Sequence, residues 1–84
     1  MKSITVYTTD PCSFCVRVKQ LLETLGFDFD EINLSKDPEG RMELVRRTGM
    51  MSFPQVVVDD HLLGGFRETL EAAQTGRLDE LLAA

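Results

Sequence analysis

Cysteine is scarce in this chain. Two occur in 84 residues, whereas a disulfide-stapled secreted mini-domain carries four or more, spread along its length. Histidine is scarcer: His61 stands alone, so one copy of the chain cannot assemble the four ligands of a closed structural zinc site. Positive charge is also short, with 9 Lys and Arg against 14 Asp and Glu, a net charge of −5. An acidic chain without a Lys/Arg cluster is a poor match to nucleic-acid phosphate or to an anionic membrane surface. No apolar run approaches the roughly 18–20 residues of a membrane span. No segment repeats. The start, Met1-Lys2-Ser3-Ile4, has no long apolar stretch and no small-residue cleavage site. The expectation is a cytoplasmic protein whose mature form begins at Met1.

What is present is ordinary globular material. Hydrophobic residues make up 43 % and charged residues 27 %, a balance that argues against intrinsic disorder. The length suits a single domain over residues 1–84 with a small core.

Ser3 to Thr8 alternates β-branched and aromatic residues and predicts a strand, which Thr9-Asp10-Pro11 ends. From Cys12 to Leu25 the apolar positions are Phe14, Val18, Leu21, Leu22 and Leu25, which share one helical face, and Gly26 stops the helix. Phe29 to Asn33 predicts a weaker strand. Asp37 as N-cap, Pro38 at the first helical position and Glu39 in the first turn open a second helix. Met42 and Val45 form its expected apolar edge, with Leu44 nearby, and Gly49 ends it. Gln55 to Val58 predicts a buried strand. Asp59-Asp60 turns the chain into a short returning strand at His61-Leu62-Leu63. After Gly64-Gly65, a helix runs from Phe66 to Thr75 with Phe66, Leu70 and Ala73 as its expected inner face. A last helical segment packs Leu78, Leu81 and Leu82. Phe27 and Phe29 are expected in the core, and His61 on the hairpin surface.

The order β-α-β-α-β-β-α-α is an α/β pattern. Its first β-α-β demands a right-handed parallel crossover, and its later β-β an antiparallel hairpin. A mixed four-stranded sheet with helices on both faces follows.

The two cysteines sit three apart, in Cys12-Ser13-Phe14-Cys15. A bridge between them closes a very short loop and so stabilises little by chain entropy. In a cytosolic chain, Cys-x-x-Cys beside a β-α-β pattern reads as a thioredoxin-like redox motif. The physical reason is the helix start. Unpaired backbone N–H groups and the positive end of the helix dipole favour a thiolate there. Cys12 is therefore the expected attacking thiolate and Cys15 the more buried resolving thiol. Structural zinc and an inert buried pair are the competing readings. Phe14 is expected to project outward toward substrate. Met50-Met51 is either core filler or a rim beside the site.

The chain resembles the glutaredoxin family over essentially its whole length. Val6-Tyr7-Thr8 with Cys12-Ser13-Phe14-Cys15 is similar to the family's strand and Cys-Pro-Tyr-Cys site. Thr48-Gly49 with Ser52-Phe53-Pro54-Gln55-Val56 is similar to its Thr-Gly and Thr-Val-Pro-x-Val segments. Leu63-Gly64-Gly65-Phe66-Arg67-Glu68 is similar to its Gly-Gly-x-x-Asp segment. The resemblance implies a thioredoxin-like three-layer sandwich, a cis Phe53–Pro54 bond, and glutathione as co-substrate of a thiol–disulfide oxidoreductase. It implies glutathione contacts at Thr9, Ser13, Phe14, Ser52, Phe53, Pro54 and Gly65. Phe53 would hold the cysteinyl part through its backbone. The backbone at Phe66 and Arg67 would hold the γ-glutamyl carboxylate. Glu68 would meet the γ-glutamyl ammonium, and Arg46 the glycyl carboxylate.

Departures from the family pattern matter. Thr9 stands where the family usually has Lys, and Asp10 adds an anion near Cys12. Ser13 replaces Pro and Phe14 replaces Tyr. Gly65-Phe66-Arg67 also resembles the NrdH-type redoxins, which are reduced by thioredoxin reductase and feed ribonucleotide reductase. Ser13 further resembles glutaredoxins that carry a [2Fe–2S] cluster between two copies, through Cys12 and two glutathiones. The implied partners are glutathione and disulfide-containing or glutathionylated proteins. The chain is expected to be a monomer unless a cluster bridges two copies.

Overall fold

The computed structural model describes residues 2–83; Met1 and Ala84, the ends of the span expected to form one domain, lie outside the described residues. Four strands and four helices follow in the order β1 (Ile4–Thr8), α1 (Ser13–Thr24), β2 (Phe29–Asn33), α2 (Pro38–Thr48), β3 (Gln55–Val58), β4 (His61–Gly64), α3 (Phe66–Thr75) and α4 (Arg77–Ala83). The sheet order is β2-β1-β3-β4. β1 runs parallel to β2, with Ile4 opposite Phe29 and Thr8 opposite Asn33. It runs antiparallel to β3, with Ile4 opposite Val58 and Val6 opposite Val56. β3 and β4 form the antiparallel hairpin, with an irregular register between Val56 and Val57.

Alternation along β1 decides which face is covered. Ile4, Val6 and Thr8 are buried, and Val56 and Val58 of β3 share that face. Val18 and Leu22 of α1, Ala72 of α3 and Leu78 of α4 close the core on them. Phe27, Phe29, Leu81 and Leu82 pack against its edge, and His61 is exposed, all as expected. The other face carries Tyr7, Gln55 and Val57, and α2 meets it there: Arg47 donates to the Tyr7 hydroxyl and Thr48 to the Gln55 amide oxygen. Helices on both faces of a mixed sheet make the expected three-layer sandwich.

The caps read from sequence are present. The Asp37 side chain accepts from the Gly40 amide at 2.9 Å, and Pro38 opens α2. Gly49, Gly76 and Gly26 take the positive φ that an L side chain resists. Asp59, at φ 51°, makes the turn without glycine. Asp is among the few residues that tolerate this region, and here Asp59 is anchored to Ser3 by two hydrogen bonds of 2.9 Å.

Three expected faces are corrected. Leu25 is half-exposed and leaves the apolar face of α1 to Cys15, Val18 and Leu22, while Phe14, equally exposed, projects outward as expected. Met42 is 64 % exposed, and Leu44 alone is the buried residue of α2. The inward stripe of α2 is Arg41, Leu44, Val45 and Thr48, a helical spacing in which two members are polar. Their polarity is satisfied: Arg41 donates to the carbonyls of Leu34 and Ser35, and Thr48 donates within its own turn or to Gln55. In α3 the deepest residues are Thr69 and Ala72, whereas Phe66, Leu70 and Ala73 are half-buried. Thr69 can occupy the centre because its hydroxyl donates to the Gly65 carbonyl at 2.9 Å.

Candidate active site

The cysteines stand where β1 hands over to α1. Cys12 is the N-cap, extended at φ −155° and ψ 101°, with its carbonyl accepting from Val16 at 3.3 Å. Its side chain acts as the capping acceptor: the Cys15 amide donates to Cys12 Sγ at 3.1 Å. The pair is joined as a disulfide with its Cα atoms 5.2 Å apart. Cys12 is half-buried, and Cys15 is buried at 2 % exposure. When the bond is reduced, the same amide points at the Cys12 sulfur, and the amides of Ser13 and Phe14 also lack an intrahelical acceptor. A negative sulfur is favoured there.

The loop ahead of Cys12 is tied to the end of β2. Ser35 Oγ accepts from the Asp10 amide at 2.6 Å, and Asn33 Nδ2 donates to the Asp10 carboxylate at 2.7 Å. Asp10, expected as an anion near Cys12, is also a hydrogen-bonded anchor of this loop. Both Asp10–Pro11 and Phe53–Pro54 are cis, the second as the resemblance implies.

A groove of about 580 Å³ runs beside the disulfide. Phe14 and Arg17 of α1 form one wall. Met50, Ser52, Phe53 and Pro54 form the floor, and Gly65 to Glu68 with Leu70 complete the lining, Phe66 beside Phe14. The Phe53 carbonyl oxygen lies 3.8 Å from Cys12 Sγ. The amides of Phe66, Arg67 and Glu68 open α3 without intrahelical acceptors, which makes that end a place for an anion. Glu68 reaches back and accepts from the Gly65 amide at 2.7 Å. A Cβ on Gly64 would lie 2.8 Å from Glu68 Cγ, and Gly64 has φ 129°. Glycine is therefore required where this hairpin meets α3.

Aromatic and cationic groups shape the wall. The rings of Phe14 and Phe66 have centroids 5.9 Å apart. The Arg17 guanidinium lies 5.4 Å from the first and 5.9 Å from the second. Arg17 and Arg67 both line the groove, and neither forms an ion pair among the described residues. The groove is locally cationic on a chain of net charge −5. Behind the sheet, the Tyr7 hydroxyl accepts from Arg47 and raises that guanidinium's pKa further, leaving its charge fixed.

The structure gathers eight residues expected at the site: Phe14, Ser52, Phe53, Pro54, Gly65, Phe66, Arg67 and Glu68. Thr9 and Ser13 are outside the groove lining. Arg46 is outside it as well. It lines a separate depression with Asp37, Gly40 and Met42, and pairs with Glu43 at 3.6 Å. Sequence reasoning missed Arg17 and Leu70, and left Met50 undecided between core and rim. Arg17 was detectable in principle, since it lies three residues after Phe14 on one helix, and residues so spaced are neighbours. No cluster of three or more His, Cys, Asp or Glu that could hold a metal occurs among the described residues. Among the described residues Cys12 is the only cysteine that is not buried, so one chain by itself presents a single thiolate to a [2Fe–2S] cluster.

A vicinal cysteine pair on a helix start, an adjacent strand-like backbone and an anion-receptive groove, all on a mixed sheet, define a thiol–disulfide oxidoreductase of thioredoxin-like fold. A glutaredoxin family model matches residues 4–63. A glutaredoxin of Pseudomonas aeruginosa is 39 % identical over 84 residues, the full length of both chains. Glutaredoxin 3 of Escherichia coli is 32 % identical over 82 residues, covering 98 % of this chain and 99 % of that one. A buckwheat glutaredoxin solved as its glutathione complex superposes with a TM-score of 0.85 at 27 % identity, over 98 % of this chain and 77 % of that one. This chain belongs to the glutaredoxin family.

Proposed function

We propose that the chain reduces protein disulfides and glutathione mixed disulfides in the cytosol, with glutathione as its reductant. The observation that carries this reading is the Cys15 amide aimed at Cys12 Sγ, a sulfur 3.8 Å from the carbonyl of Phe53 in the groove lining.

In the reduced enzyme, Cys12 thiolate attacks the glutathione sulfur of a glutathionylated client. The client's sulfur leaves as a thiolate and takes a proton from solvent, and Cys12 holds glutathione as a mixed disulfide. A second glutathione thiolate then attacks the bound glutathione's sulfur, releasing glutathione disulfide and restoring Cys12 thiolate. With a protein disulfide, Cys12 first forms a mixed disulfide with the client. Cys15 then attacks Cys12 sulfur, the client leaves reduced, and the Cys12–Cys15 disulfide remains. Two glutathiones return it to the dithiol. The groove contributes binding. The Phe53 backbone would pair with the extended tripeptide, and the amides opening α3, with Arg67, would receive its γ-glutamyl carboxylate.

A coupled assay tests the reductant. NADPH consumption driven by glutathione and glutathione reductase is the expected result. Reduction by thioredoxin reductase alone, with no response to glutathione, would make the chain an NrdH-type redoxin instead.

A further inference from the structure

We infer that Gln55 is a positioning residue that holds the substrate-facing loop of the groove, through side-chain hydrogen bonds to two of the loop's carbonyls. The inference rests on the reading of the groove as the substrate site.

The loop in question is Gly49 to Pro54, between α2 and β3. Its residues Met50, Ser52, Phe53 and Pro54 form the groove floor, and Phe53 carries the carbonyl 3.8 Å from Cys12 Sγ. Among the described residues, no backbone–backbone hydrogen bond begins or ends on Met50, Met51, Ser52 or Phe53. A loop without such bonds is expected to be loose. Its carbonyls are instead held from beneath. Gln55 Nε2 donates to the Met50 carbonyl at 2.9 Å and to the Ser52 carbonyl at 3.1 Å. Both protons of that amide nitrogen are thus committed to the loop.

The other end of the amide is anchored. With Nε2 facing two carbonyls, Oε1 must face Thr48, whose hydroxyl lies 2.8 Å away and also accepts from the Met50 amide at 3.2 Å. Gln55 has no solvent exposure and sits in the strand that pairs with β1. An uncharged amide fully buried beside valines is costly unless every polar atom is satisfied, and here each is. The chain Thr48–Gln55–Met50/Ser52 thus ties the end of α2, the base of β3 and the groove floor together. Gln55 touches no reacting atom. It acts through the backbone it holds, by two bonds to carbonyls just ahead of Phe53, whose backbone an extended substrate would pair with.

The test compares wild type, Gln55→Met and Thr48→Val in the coupled assay with a glutathionylated peptide, alongside amide hydrogen exchange and thermal melting. Gln55→Met keeps the side-chain length and removes the donors. Its KM is expected to rise about tenfold with kcat within about twofold, as when uniform binding is lost. The Met50 amide, which donates to the Thr48 hydroxyl beside Gln55, should exchange faster while those of Val6 and Val56 keep wild-type rates. A purely structural role would lower the melting temperature and the active fraction, leaving KM and the local pattern unchanged. A folded Gln55→Met with wild-type KM and wild-type exchange at Met50 overturns the inference. Should that variant not fold, Thr48→Val decides it: a two- to threefold rise in KM with faster loop exchange supports the role, and unchanged values overturn it. If wild type does not turn over the glutathionylated peptide at all, the functional reading has failed. The exchange comparison then still decides whether Gln55 holds the loop.

Discussion

The Cys15 amide donates to Cys12 Sγ at 3.1 Å, so the resolving cysteine's own backbone serves the attacking cysteine's sulfur. The two roles are separated by burial as well as by chemistry: Cys12 borders solvent while Cys15 sits beneath the first turn of α1.

From this geometry, reduced Cys12 should alkylate with a pH midpoint below the ~8.5 of a free cysteine. The anion nearest in sequence, Asp10, already accepts from Asn33, and Thr9 offers no cation. Thr9→Lys should lower the midpoint by roughly half a unit, since one exposed charge is worth on the order of a kcal/mol or less in water. Asp10→Asn keeps the acceptor for Asn33 and should lower it by less. Iodoacetamide rates against pH, at two salt concentrations, check both shifts. Superimposable profiles would mean that the helix-start amides alone set the thiolate's stability.

Arg17 should discriminate by substrate charge. Its guanidinium faces the groove over Phe14 and Phe66, and a cation held over two rings keeps its N–H groups free at the edge. Arg17→Ala should raise KM several-fold for a glutathione mixed disulfide, with the effect shrinking as salt is added. A small neutral disulfide should be unaffected. Equal changes for both substrates would show that Arg17 supports the wall by packing rather than by charge.

Glu68 is expected to couple to Gly64. Loss of the reach-back hydrogen bond in Glu68→Ala should cost about 1 kcal/mol of stability, the usual scale of a helix-start cap. Gly64→Ala alone should cost more, of order 1–3 kcal/mol, because it adds strain at φ 129° to a clash with Glu68. In the double variant the clashes with Glu68 Cγ and Oε1 are gone, while the close contact with the residue-68 Cβ at 2.9 Å and the φ strain stay. Its destabilisation should be smaller than the sum of the two, measured by urea melts. Strict additivity would contradict the contact.

The elements that could be read from the residues are those whose pattern is hydrophobic and local. β1 alternates cleanly, β3 is a valine run, and α2 carries its own caps in Asp37, Pro38 and Gly49. β2 is weaker because it is an edge strand whose members, Phe29 apart, are exposed. The inner faces of α2 and α3 misled because Arg41, Thr48 and Thr69 point inward. Each is satisfied by a main-chain carbonyl, and such partners leave no trace in side-chain periodicity. Gln55 shows the same limit: it was legible as buried strand, but its partners are the carbonyls of Met50 and Ser52. At the site, the cysteines and the segments at Phe53 and Phe66 were legible as motifs. Of the groove's two cations, Arg67 was legible and Arg17 was not: the resemblance named Arg46 on α2, and Arg17 of α1 lines the groove.

The most direct test of the account is the Cys15→Ser variant, assayed for removal of glutathione from a glutathionylated peptide with glutathione and glutathione reductase. It should retain turnover and, with glutathione disulfide, accumulate one glutathione adduct at Cys12, visible in intact mass. Cys12→Ser should do neither. A folded Cys15→Ser variant that neither turns over nor takes up glutathione would contradict the claim that Cys12 is the glutathione-linked nucleophile.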